Sequence, residues 1–171
     1  GLLRDNFGFM HIKGFNEESW ERLRENAKSS IKKRLDSRII ASDASSKAIE
    51  AAKNNAETAG VAHLIEFHVC DFRETPVPEG GGIVILNPEY GERMGTEKAL
   101  EDTYKGIGDF FKQKCKGCTG FIFTGSLNLA KKVGLKAKRR IQFFNGSIEC
   151  RLLEYELYEG SRSLRLATEK A

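Results

Sequence analysis

Between Glu17 and Leu35 the apolar residues Trp20, Leu23, Ala27, Ile31 and Leu35 recur at helical spacing among charged neighbours, which predicts an amphipathic helix. Asn16 stands where a side-chain oxygen can cap its start. The period then shortens. Arg38–Asp43 (RIIASD) reads as a strand ending on an acid, and Ser46–Ala59 as a second helix closed by Gly60, a residue suited to a left-handed cap. Leu64–Cys70 reads as a strand that runs into Asp71. A turn over Pro76–Gly82 leads into Ile83–Leu86, whose unbroken apolar run predicts a buried strand. Then come a long helix over Glu97–Lys114, a β-branched apolar strand over Thr119–Thr124 and a short helix after Ser126. Leu135–Phe144 and Ile148–Tyr158 flank Asn145-Gly146, a strong hairpin turn dipeptide.

Strands alternating with helices predict an α/β fold, a parallel sheet with helices on both faces, here closed at one edge by an antiparallel hairpin. The 171 residues suit one domain, with no repeat or low-complexity segment. Apolar residues make up 40% and charged residues 30%, ordinary for a soluble protein. Runs such as Gly82–Leu86 are too short to cross a bilayer, so no membrane partner is expected. No charged-then-apolar signal opens the sequence, and a cytoplasmic location is the default expectation.

Charge adds a local feature. The formal net charge is only +4, but Lys131, Lys132, Lys136, Lys138, Arg139 and Arg140 crowd one short stretch. Such a strip is either a solvated strand edge or a contact for RNA phosphates, with Lys136, Lys138, Arg139 and Arg140 as the candidates. Among the four cysteines, Cys115 and Cys118 form a CxxC. A structural zinc site would need a second ligand pair of suitable spacing, and none is present, so no metal is expected. The pair closes a helix before a strand instead of opening one after a strand, which favours two half-buried thiols over redox chemistry.

Candidate chemistry sits where strands end. In open α/β sheets ligands bind outside the carboxyl ends of the strands, and Asp43, Asp71 and Asn87 all occupy such places. A carboxylate at Asp43 can accept from ribose hydroxyls, and Asp71 from an adenine amine beside the ring of Phe72. Each aspartate alone reads first as a cap or turn residue. The tetrapeptide Asn87-Pro88-Glu89-Tyr90 tips the balance. The amine of a nucleobase is a poor nucleophile because its lone pair is delocalised into the ring. The Asn87 side-chain carbonyl and the Pro88 backbone carbonyl can accept its two hydrogens and favour the form whose lone pair attacks. Tyr90 offers a ring for stacking a base taken out of its helix. Asn-Pro is also ordinary turn chemistry.

The segment ILNPEYGERMG resembles the ILNPPYGERLG-type signature of bacterial large-subunit rRNA guanine-N2 methyltransferases that carry an N-terminal THUMP domain. NFGFMHIKGFNEESWERL resembles their linker region, IIASDASSKAIEAAKNNAETAGV their second strand and helix, and KRRIQFFNGSIECRLLEYEL their closing hairpin. The resemblance implies a Rossmann-like class I methyltransferase domain, with residues 1–36 as linker and helix and 37–171 as sheet and helices. It implies S-adenosyl-L-methionine as cofactor, ribosomal RNA as substrate and an upstream THUMP-containing segment. By position, Asp43 and Ala44 would meet the cofactor ribose, and Asp71 and Phe72 its adenine. Asn87, which also borders the cofactor, would hold the target guanine with Pro88 and Tyr90.

Three departures from that pattern stand out. The DPxCGSG-like glycine loop that follows the family's first strand is absent, and the missing strand would lie between the Arg38 and Ile83 strands. Only glycines let a backbone approach the methionine end of the cofactor so closely. Glu89 replaces a second proline, and Ser45 an acid or Asn. The chain opens on Gly1 and its first Met is Met10, so a fragment is expected, inactive by itself for want of the loop. A non-catalytic RNA-binding module derived from such an enzyme, and an adenine-N6 transferase sharing the Asn-Pro-x-Tyr chemistry, are the alternatives.

Overall fold

The computed structural model describes residues 4–90 and 97–158. They fall into two compact units, Gly1–Phe72 and Arg73–Ala171. The first contains α1 (Glu17–Ser29), β1 (Ile39–Asp43), α2 (Ser46–Thr58) and β2 (Ile65–Val69). Asn16 caps α1 as expected, its Oδ1 accepting from the Ser19 amide at 2.7 Å. The helix stops at Ser29, short of Leu35. The cause is local: the Ser29 and Ser30 hydroxyls donate to the Asn26 carbonyl at 2.9 and 2.7 Å, competing with the helical ladder. No residue of α1 is fully buried, although the Trp20 ring meets Phe9 edge-on at 4.9 Å.

α2 starts at a cap from Ser45, whose hydroxyl accepts from the Ala48 amide at 3.3 Å. Past its end Gly60 takes the left-handed conformation, φ 72°. Ile49 and Ala56 of α2 are buried, and the helix packs on both β1 and β2. Burying Ile49 contributes about 1.5–3 kcal/mol. β1 and β2 pair in parallel, with Asp43 opposite Val69. The Cys70 amide then donates to the Asp43 carbonyl at 3.1 Å, extending the pairing by one residue.

The second unit is a four-stranded mixed sheet in the order β3-β4-β6-β5, from β3 (Gly82–Leu86), β4 (Cys118–Thr124), β5 (Arg139–Asn145) and β6 (Ile148–Glu156). β3 and β4 are parallel, while β6 runs antiparallel to both β4 and β5. α3 (Glu97–Lys114) and α4 (Leu127–Lys132) complete it. The core lies between α3 and the sheet: Tyr104, Ile107 and Phe111 of α3, Ile122 of β4 and Leu153 of β6 are at most 2% exposed. α4 starts at Ser126, whose hydroxyl accepts from the Leu129 amide at 3.3 Å. The hairpin turns at Asn145-Gly146 as expected, but its first strand begins at Arg139, so Lys136 and Lys138 lie in the segment leading into it.

Two expectations about burial change. Ile83 and Ile85 of β3 are 71% and 67% exposed, although their run reads as a buried strand. Both lie on the face away from α3, level with the half-buried Thr119 and Phe121. Among the described residues β3 pairs only with β4, so those side chains also lack a neighbour on one side. Cys115 and Cys118, expected half-buried, are fully buried, and burial pushes the Cys115 thiol up to about 12. Both thiols are free, neutral packing groups. Among the described residues no helix is long and apolar enough to cross a membrane.

Candidate functional site

The candidate residues occupy strand ends in both units, and each unit is described by itself. In the first, parallel pairing brings Asp43 and Asp71 to the same end of the β1–β2 pair. Asp43 is the last residue of β1, and Asp71 lies two residues beyond its partner Val69. Asp43 is exposed, and its Oδ1 accepts from the Ser45 amide at 2.7 Å. It therefore is a turn residue, the plain reading of its position, and yet presents its carboxylate at the carboxyl end of a strand. Its other oxygen takes no hydrogen bond among the described residues. Ala44 beside it is exposed, so the backbone there is open to a ligand. Asp71 and Phe72 are half-buried, and Phe72 opens a single 3-10 turn, Phe72–Glu74.

In the second unit Asn87, Pro88, Glu89 and Tyr90 follow β3 directly. Asn87 and Glu89 are exposed, while Pro88 and Tyr90 are half-buried. Tyr90 is the fixed member. Its hydroxyl lies 3.5 Å from Cys150 Sγ and accepts from the Asn145 side-chain amide at 3.4 Å. Its ring lies against Gly125, where an added Cβ would stand 2.6 Å from Cε2. Any side chain at Gly125 would displace the ring. The Cys150 contact, with burial, raises the Tyr90 hydroxyl above the ordinary phenol range, against the Asn145 amide, which lowers it. Tyr90 is thus a neutral phenol at physiological pH. Behind it, the buried Tyr104 hydroxyl and Thr124 Oγ1 are 2.6 Å apart, and Thr124 Oγ1 accepts from the Ser126 amide at 3.1 Å. This pins the turn that carries Gly125.

Asn145, Cys150 and Gly125 escape a reading of the sequence as site residues. Asn145 is recognisable only as half of a turn dipeptide, and nothing local marks the other two. The GERMG part of the signature, Gly91–Gly95, lies outside the described residues.

The basic strip stands elsewhere. Lys138 pairs with Glu156 at 3.2 Å and Arg139 with Glu154 at 2.5 Å, while Lys136 and Arg140 are exposed. β5 runs from Arg139, level with Glu154 of β6, to Asn145 beside Tyr90. Lys136 and Lys138 therefore lie at the opposite end of the sheet from the Asn87–Tyr90 loop. The structure does not bring the two together.

Similarity to known proteins runs through most of the chain. A Synechocystis sp. protein named as a "Putative RNA methyltransferase" is 36% identical over 158 residues, covering 92% of this chain and 41% of that protein. Ribosomal RNA large subunit methyltransferase K/L of Shewanella baltica is 36% identical over 164 residues, covering 94% of this chain and 23% of its own length. Among solved structures, "a putative methyltransferase complexed with SAH" matches with a TM-score of 0.78 and 25% identity over 94% of this chain and 42% of that one. The chain thus spans less than half the length of the relatives it matches. The fold is that of the class I methyltransferases. Residues 2–154 match the family described as UPF0020, RMKL-like, methyltransferase domain, and the chain belongs to that family.

Proposed function

We propose that this chain is the catalytic part of an S-adenosylmethionine-dependent enzyme that methylates the exocyclic N2 amine of a guanine in ribosomal RNA. The observation that carries the reading is the loop after β3. There Asn87 and Pro88 immediately precede a tyrosine ring fastened by Gly125, Asn145 and Cys150. The side-chain carbonyl of Asn87 and the backbone carbonyl of Pro88 accept the two hydrogens of the guanine amine and turn its lone pair outward. Tyr90 stacks the base, and because its ring is held beforehand little freedom is lost when the base arrives. The relatives named for RNA methylation support the substrate class.

When bound, S-adenosylmethionine supplies an electrophilic methyl group. Asp43 and Ala44 would hold its ribose, and Asp71 and Phe72 its adenine, with Asn87 bordering it. The exposed Asp43 carboxylate, with one oxygen bonded to its own turn and the other open, fits that task. No residue of this sequence matches the glycine loop expected at the methionine end. That loop belongs to an upstream segment of the full-length protein, which also carries the THUMP domain. Its strand pairs with the open edge of β3 and gives Ile83 and Ile85 a neighbour on that side. Lys136, Lys138, Arg139 and Arg140 meet RNA phosphates, and the enzyme works in the cytoplasm on ribosomal precursors.

The test is methyl transfer from labelled S-adenosylmethionine to a large-subunit rRNA transcript by the full-length protein, followed by nucleoside analysis. N2-methylguanosine is expected, abolished by Asn87→Ala. N6-methyladenosine would assign the chain to the adenine transferases, and no incorporation with tight RNA binding would make it a binding module.

A further inference from the structure

At the end of the second unit away from Tyr90 the surface opens into a cleft of about 840 Å³. Phe111, Leu135 and Leu157 form its apolar floor, and Lys112, Lys116, Lys136 and Lys138 stand around it. Topology places it. Lys112 lies in the last turn of α3 and Lys116 in the link to β4, while Leu157 is joined to Gly117 and Cys118 by backbone hydrogen bonds of 2.7 and 3.1 Å. The cleft therefore sits where β4 begins. Tyr90 packs against Gly125, where β4 ends. Six residue steps along the strand separate those ends, roughly 20 Å.

The charge in this cleft is unbalanced. Among the described residues its one acidic residue, Glu156, is engaged by Lys138 at 3.2 Å and by the Tyr158 hydroxyl at 2.6 Å. Lys112, Lys116 and Lys136 have no carboxylate within ion-pair distance among the described residues. The Lys112 amine reaches across to Gly134, its Nζ 3.5 Å from where a Cβ would stand. All four lysines are exposed, so their amines remain hydrated point charges able to turn toward a ligand. Several cations elsewhere in the unit are matched: Lys132 meets Glu101 at 2.8 Å, Arg139 meets Glu154 and Arg151 meets Glu149, whereas the cleft gathers three unmatched lysines around one opening. Ammonium groups gathered around one cleft repel one another within a Debye length of about 8–10 Å. A polyanion relieves that repulsion.

We propose that this cleft is a second RNA-anchoring site, in which Lys112, Lys116 and Lys136 hold backbone phosphates of the substrate at a distance from the base being modified. The inference rests on the proposed RNA substrate and goes beyond it. It adds two lysines, Lys112 at the end of α3 and Lys116 just beyond it, that the charged strip in the sequence does not include. It also assigns the cleft a task separate from chemistry. Phosphate contacts fix register and orientation without reading sequence. An anchor roughly 20 Å from the Asn87 loop makes binding depend on RNA that extends well past the target nucleotide. Lys138, already tied to Glu156, contributes least.

The experiment uses the full-length protein and a fluorescein-labelled 20-nucleotide oligouridylate, with affinity read by anisotropy over a range of salt concentrations. The triple variant Lys112→Gln/Lys116→Gln/Lys136→Gln is expected to bind more weakly and to lose about 2 from the log–log salt slope, near 0.7 per single-strand phosphate contact. Lys112→Arg/Lys116→Arg/Lys136→Arg is expected to keep the parent slope, since it keeps the charge. Unchanged S-adenosylmethionine affinity in both variants reports an intact fold. A parent-like slope in the glutamine variant overturns the cleft and leaves the RNA substrate standing. A parent protein whose binding shows no salt dependence overturns both.

Discussion

β3 and β4 lie side by side in one sheet and are both built from apolar residues, yet they end in opposite environments. Along β4 every second residue, Cys118, Gly120, Ile122 and Thr124, is buried, with Ile122 fully so. Along β3 Ile83 and Ile85 stand more than two-thirds exposed. Face and position both differ. The buried row of β4 faces α3, level with the half-buried Val84 and Leu86, whereas Ile83 and Ile85 lie on the other face, level with the half-buried Thr119 and Phe121. Among the described residues β3 also has an open edge, where β4 has β3 and β6. Apolar sequence specifies that a strand is to be buried. It does not say by what. β3 is written for a neighbour that the described residues do not provide, and an exposed apolar edge of this kind is otherwise an aggregation hazard.

The largest effect that sharpens this contrast is a cavity. Ile122→Ala should lower stability by about 2–5 kcal/mol, because the side chain is fully enclosed. Ile85→Ala in the same 171-residue chain should stay within about 0.5 kcal/mol. Urea denaturation of both checks this, and in a longer protein that supplies the missing strand the Ile85 variant should cost as much as a core truncation. Equal costs in the short chain would mean that β3 is already covered.

Next comes the place where the exposed strand is fastened to the buried one. Gly125→Ala puts a Cβ into the Tyr90 ring, and overpacking of that kind costs about 1–3 kcal/mol. RNA methylation should fall about tenfold or more, while S-adenosylmethionine affinity, measured calorimetrically, stays near the parent value. A matching loss in both would show that Tyr90 shapes the whole pocket. Smaller again is Glu89→Pro, expected to raise turnover modestly by removing about 0.4–1 kcal/mol of loop freedom and by holding Pro88 extended. Glu89→Gln should be neutral, and a decrease with both substitutions would make the carboxylate catalytic.

The last effect is absent at neutral pH. Burial holds the Cys115 thiol at about 12, against 9.0 for a free thiol. Between those values the unfolded chain releases a proton that the folded chain keeps, so stability should fall as pH rises from 9 toward 12. Cys115→Ala should flatten that part of the profile, and an unaltered slope would place the alkaline sensitivity elsewhere.

Local pattern carried the elements well. The helix over Glu97–Lys114 and the caps at Asn16 and Gly60 are where the periodicity and the cap residues put them. Family likeness pointed to Asp43, Asp71 and the Asn87–Tyr90 loop, and the strand ends are where they lie. Three things were not legible. The early end of α1 depends on serine hydroxyls competing for one carbonyl, which periodicity does not register. The exposure of β3 depends on what it pairs with. The residues that clamp Tyr90 lie 55 and 60 positions away, and only the sheet order brings them near.

That separation along the chain also sets an order in time. The Asn87–Tyr90 loop leaves the ribosome well before Cys150 has been made, and Cys150 belongs to the last of the described strands. At about 5–20 residues per second, the 60 positions between Tyr90 and Cys150 take roughly 3–12 s to synthesise. Through most of that interval the loop is complete in sequence but its tyrosine hydroxyl has neither Asn145 nor Cys150 to meet. A nascent chain arrested before the hairpin would hold every residue of the motif but not the two partners that fix the tyrosine hydroxyl.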